Sequence, residues 1–256
     1  MKPNLLNRTL LIGLVCLHTG TVFTNLSAQT PYRYEPIIDV YHEPIQFQGN
    51  GKTYMTYELH ISNVNKWNYD MRIERIEIFN GAYPDDTPLK IYEGDLLSTC
   101  VPTNPRTKGY IANATRTAAF LMLSLDDASQ VPSSLLHKIT YSYHQMKKGI
   151  FFFKHRVEKS VEVTKVLVHV SGKKPVVLGP IGNGIWIAGH CPGGEGPEGH
   201  RGSFRVHHGK LGDRARYAVD FIKLTDAGLL HKETWDKNED WFGYGAEVLA
   251  GFIGPI

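Results

Sequence analysis

The chain has 256 residues, 42% of them apolar, and carries 28 basic and 25 acidic side chains for a net charge of +3. The charges are mixed along the chain, which excludes the clustered basic surface that nucleic-acid binding needs. No apolar run approaches the roughly 20 residues that span a bilayer, so no membrane span is expected.

In MKPNLLNRTLLIGLVCL, Lys2 and Arg8 precede the apolar run Leu10–Leu17, and Leu26, Ser27 and Ala28 form a small-residue site before Gln29. That is the pattern of a secretory signal peptide over residues 1–28, and it places the mature protein outside the cytoplasm, secreted or periplasmic. Cys16 follows Val15, where a lipoprotein signal has a small residue, so no lipid anchor is expected. Cys100 and Cys191 then meet an oxidising exterior, which permits either a bridge between them or two free thiols. The rest of the chain suits two domains, over residues 29–172 and 173–256.

From Tyr54 to Val170 the apolar spacing is close to period two: TYMTYELHI, MRIERIEIF, AAFLMLSL, HKITYSYH and VEVTKVLVHV read as strands. In MRIERIEIF the apolar phase moves from Met71 and Ile73 to Ile76 and Ile78. In VEVTKVLVHV it moves from Val161 and Val163 to Val166, Val168 and Val170. Each slip predicts a bulge. The fold class is therefore mainly β, beginning with an antiparallel sandwich of immunoglobulin-like architecture that lacks the Cys…Trp…Cys signature. His137, His144, His155 and His169 have no partner at ligand spacing and read as strand-surface residues.

KKPVVLGP at Lys173–Pro180 reads as the connection out of the sandwich. Eight glycines follow between Gly182 and Gly202, with no amphipathic helix after them, so a phosphate-cradling loop is set aside and a functional rim or a mobile linker is left. In GHRGSFRVHHGKLGDRARYAVDF, folding back around Gly209–Gly212 sets His200 beside Phe221 and Arg201 beside Asp220, so an imidazole and a carboxylate converge. His200 and Asp220 are the candidate metal ligands. A catalytic zinc site uses three protein ligands, and His231 is the isolated candidate for the third. An ion pair from Asp220 to Arg201 or Arg216 is the structural alternative. His207 and His208 fall at the hairpin tip and stay outside the site. His190 stands beside Cys191 with no second pair to match it. Trp235, Trp241, Phe242 and Tyr244 form either edge packing or a sugar-stacking surface. No side chain is assigned a catalytic role.

RYAVDFIKL and GYGAEVLA make the second half resemble the start of a lysostaphin-type (LytM-like) zinc metallopeptidase domain, with the duplicated hybrid motif fold that cleaves peptidoglycan cross-bridges or stem peptides. In that family a His-x-x-x-Asp strand supplies two zinc ligands, and a later His-x-His strand supplies the third and a catalytic histidine. Asp220 occupies the place of the ligand aspartate. Arg216 stands where the ligand histidine belongs, and WIAGHCPGGEGPEGHRG resembles a secreted subgroup with a His-Arg pair upstream, which makes His200 the substitute ligand. Nothing after YGAEVLA matches the later motifs, so the resemblance implies an incomplete domain over 173–256, a truncated product, inactive alone, with zinc as cofactor and peptidoglycan or an envelope peptide as partner. A non-catalytic module binding the cell envelope is the rival reading.

Overall fold

The computed structural model describes residues 35–65, 69–103, 108–148, 154–191, 194–197, 199–207, 210–213 and 215–251. The leader expected over residues 1–28, with its Cys16, lies outside the described residues. Strands occupy β1 (Ile37–Asp39), β2 (Gln46–Gly49), β3 (Lys52–Asn63), β4 (Tyr69–Asn80), β5 (Lys90–Tyr92), β6 (Thr115–Leu125), β7 (Ser134–Lys148) and β8 (Lys154–His169). Among the described residues the longest helix is α1 (Gly94–Cys100), and no helix is long and apolar enough to cross a membrane.

β3 is the centre of the first sheet. It pairs with β6 along its whole length, from Thr53↔Leu125 to Asn63↔Thr115, while β1 and β2 share its other edge. The β2 to β3 hairpin closes on Asn50 and Gly51, with φ of 48° and 74°, the left-handed pair that a tight two-residue turn requires. The second sheet has the order β5-β4-β7-β8, antiparallel throughout.

The two sheets face each other. Met55, Tyr57, Leu59 and Ile61 alternate inward from β3 and meet Met71, Ile73, Ile76 and Ile78 of β4 and Ile139, Tyr141 and Tyr143 of β7. Burying side chains of this size contributes about 1.5–3 kcal/mol apiece. The phase slip in β4 is a register shift between Ile73 and Arg75, which lets all four apolar residues point inward.

No bulge accompanies the valine phase change in β8. Its pairing with β7 is continuous from Ser142↔Val161 to Ser134↔His169, and the shift falls earlier, at Tyr143/His144. The strand is apolar on both faces instead: Val166 and Val168 pack on the core, whereas Val161, Val163 and Leu167 face outward, half exposed.

His137 and His144 also depart from expectation, since both are buried. His137 reaches Tyr57 Oη at 2.7 Å across the two sheets. His169 is exposed, and the side chain of His155 lies outside the described residues. Cys100 is buried, Cys191 is exposed, and both are free thiols.

Burial holds the His137 imidazole at about 4, and burial followed by the nearby Arg216 and Arg116 charges holds His60 at about 4. Both rings are neutral in the fold and charge near pH 6.5 once unfolded. The stability they favour is complete above pH 6.5 and is lost as pH falls toward 4. Between pH 7.5 and pH 5 each should cost about 2 kcal/mol. Urea midpoints at the two pH values check this, and equal midpoints would show that neither ring is neutral by burial.

Candidate metal centre

The outer face of β3 carries Glu58, His60 and Ser62, polar residues at alternate positions, and all three are buried. Tyr41 packs on the His60 ring and Arg116 bonds to Ser62, while chain from beyond the sandwich covers Glu58. Lys173–Pro180 runs without regular structure into β9 (Ile185–Gly189); β10 (Phe204–His207), β11 (Lys210–Asp213) and β12 (Asp220–Leu224) follow.

The hairpin register differs from the one predicted. β10 pairs with β11 from Phe204↔Asp213 to His207↔Lys210, so its ladder stops short of both His200 and Asp220. β12 pairs with β9, setting Asp220 opposite Gly189. Gly189 places no side chain over the carboxylate. Beyond it the chain turns through His190, at φ of 48°, and a 3₁₀ turn at Gly199–Gly202 returns His200 to the same place.

His200 and Asp220 therefore do meet, by a different route, and His190 joins them. His200 Nε2 lies 3.0 Å from Asp220 Oδ1, and His190 Nδ1 lies 2.7 Å from Oδ2. One ligand atom from each of the three residues falls within 4.8 Å of the others. The hydrogen bonds from His200 and His190 hold the Asp220 carboxyl below the usual range. Side-chain exposures of 30% for His200, 48% for Asp220 and 69% for His190 leave the group open to solvent.

Gly199 makes this approach possible. Its φ is 61°, and a Cβ there would sit 2.5 Å from the carbonyl oxygen of His190, the same oxygen that accepts a hydrogen bond from the His200 N–H at 3.3 Å.

Neither arginine proposed as a partner for Asp220 plays that part. Arg201 is 2% exposed and donates from Nε to Glu58 Oε1 at 3.1 Å, from Nη1 to the Gly194 carbonyl at 2.7 Å, and from Nη2 to the Tyr57 and Leu121 carbonyls. Its guanidinium lies over the Phe120 ring. Arg216 Nη2 lies 2.7 Å from Glu58 Oε2 but off the hydrogen-bond axis, so that contact is an ion pair and not an aligned hydrogen bond. A single carboxylate thus holds both ligand-bearing segments, the His200 turn through Arg201 and the lead-in to Asp220 through Arg216.

His231 is elsewhere. It packs on Trp235 and Trp241, with ring centroids 5.6 and 5.3 Å away, and bonds to the Lys232 carbonyl. Trp235 and Tyr244 are well exposed, while Trp241 and Phe242 are half-buried. His208 and the His207 side chain lie outside the described residues. Ligand spacing does not point to His190, because no second pair matches His190-Cys191. Alternation in TYMTYELHI assigns Glu58 to a solvent face, so its burial has no signal in the sequence.

Comparisons with protein-family models, with curated proteins and with solved structures return no match.

Glu58→Gln keeps the shape but leaves two buried guanidinium groups without a counter-charge, and should cost about 3–5 kcal/mol. Thermal unfolding and limited proteolysis beyond residue 173 report it, and wild-type behaviour in both would remove Glu58 from its proposed place. Gly199→Ala should force His190 and His200 apart and cost about 1–3 kcal/mol through backbone strain. An unchanged melting temperature would show that the turn relaxes freely.

Proposed function

We propose that the chain is a secreted, zinc-binding protein of the lysostaphin-type hydrolase class, acting on peptidoglycan or another envelope peptide, with His190, His200 and Asp220 as its ligands. The convergence of these three side chains within 4.8 Å is the observation that carries the reading. Two imidazoles and one carboxylate form a nitrogen and oxygen donor set suited to zinc, and three protein ligands are the number a catalytic zinc site uses.

When bound, zinc supplies a Lewis acid for an amide carbonyl and lowers the pKa of its water. The chain's own residues prepare that chemistry. Asp220 stays ionised and fixes one nitrogen of each imidazole through its two oxygens. Gly189 leaves the approach over the carboxylate clear. The Glu58 anchorage holds two of the ligand segments before metal arrives, which lowers the ordering cost of binding. Binding must displace protons from imidazole, so it should weaken as pH falls. Binding is the property to measure first.

The exposed aromatic rings of Trp235 and Tyr244 favour a second reading, a non-catalytic module that docks on envelope glycan.

Zinc titration followed by metal analysis should find about one ion per chain, with affinity reduced more than about tenfold by His190→Ala, His200→Ala or Asp220→Ala. No zinc above background, or ferrous iron held in preference to zinc, would overturn the hydrolase reading. Peptidoglycan binding that survives all three substitutions but is lost in Trp235→Ala would establish the binding module in its place.

A further inference from the structure

A cavity of about 650 Å³ lies between the outer face of the first sheet and the extended segment after the sandwich. It falls within the size of ordinary small-ligand sites, and its construction resembles theirs: apolar walls around a few polar groups. Phe47, Val176, Leu178 and Tyr217 supply its apolar lining. The buried Arg216 and Glu58 and the exposed Lys173 and Lys174 line it too.

The charges in this cavity do not balance. Four cationic side chains, Lys173, Lys174, Arg201 and Arg216, line it against two carboxylates, Glu43 and Glu58. The two lysines and Glu43 are exposed and solvated, but Arg201, Arg216 and Glu58 are buried, and they leave one positive charge uncompensated. A buried charge without a partner is costly. Arg201 spends its donors on Glu58 and three backbone carbonyls. Arg216 has only the off-axis contact to Glu58 among the described residues, so it retains N–H groups for an incoming acceptor. His42 lines the same space, and burial followed by the Arg216 charge holds its imidazole below the ordinary value, which suits a site where positive charge is already in excess.

We propose that this cavity binds a monocarboxylate with an apolar body, the carboxylate against Arg216 and the body between Phe47, Val176 and Leu178. A planar guanidinium suits a carboxylate better than it suits a neutral amide, because both oxygens accept charge-assisted hydrogen bonds. The same chemistry is presented by a short acyl chain and by the C-terminus of a peptide ending in aliphatic residues. This site is separate from the metal ligands and does not depend on the zinc reading.

The test is calorimetric titration of the full chain with octanoate, with N-acetyl-leucyl-leucine and with the C-terminal amide of that dipeptide. Binding of the acids at least about tenfold tighter than the amide is expected, and whichever acid binds tighter identifies the source. Arg216→Gln should abolish the preference for acid over amide. Because Arg216 also anchors the chain, Val176→Asp provides the second variant: the residue is 80% exposed, so the fold tolerates it, while the new carboxylate should repel the ligand and weaken binding at least about tenfold. Equal affinity for acid and amide, no binding at millimolar ligand, or wild-type affinity in Val176→Asp would each overturn the proposal.

Discussion

Everything beyond the sandwich depends on one buried carboxylate. Glu58 sits on the outward face of the central strand of its sheet, where an acidic residue is ordinarily solvated, and it is covered because two guanidinium groups close over it. One carboxylate serves two cations. Removing two cations and an anion from water is expensive, and the compensation here comes from Arg201 engaging backbone carbonyls of both β3 and β6 as well as the carboxylate. Those carbonyls belong to a ladder that is already formed, so the sandwich offers a rigid receptor to a segment with little regular structure of its own. Lys90 with Glu195 adds a second tie at the margin of the same loop.

Much of the sandwich was legible in the sequence, because burial of one face imposes period two and the hydrophobic residues record it. The slip in MRIERIEIF could be read directly, since a strand buried on its inner face can change phase only by bulging. The same inference misled in VEVTKVLVHV. There β8 forms the edge of its sheet, and its outer face retains Val161, Val163 and Leu167 where solvent would have favoured polar groups. Valine on both faces of an edge strand looks in sequence like a phase change. The buried histidines failed for a related reason: His137 is apolar in its surroundings but polar in its spelling, and the hydrogen bond to Tyr57 that makes its burial tolerable is formed across 80 positions of sequence.

The candidate metal centre was half legible. His200 and Asp220 were identified from a hairpin that closes elsewhere, and their convergence survives because β12 finds β9 and not the strand beside it in sequence. Pairing partners are set by which edge is free, and local turn signals around Gly209 and Gly212 carry no information about an edge at residue 185. His190 has no partner at fixed ligand spacing, and its contribution comes from a left-handed turn just past Gly189. Gly199 was visible only as one of many glycines. Its particular duty follows from a backbone approach that no single-sequence pattern encodes.

β9 and β12 form a ribbon of only two strands, five residues each, while the sandwich beside it is built of two sheets around a shared core. Isolated two-stranded ribbons are marginal on their own. The ribbon and the core should therefore form separate cooperative units, with amide protons of Ile185–Gly189 and Asp220–Leu224 exchanging through openings that leave β3, β4 and β7 protected. An ion gripped by side chains at the end of that ribbon would close those openings, and its occupancy would then set the lifetime of the ribbon more than the stability of the protein.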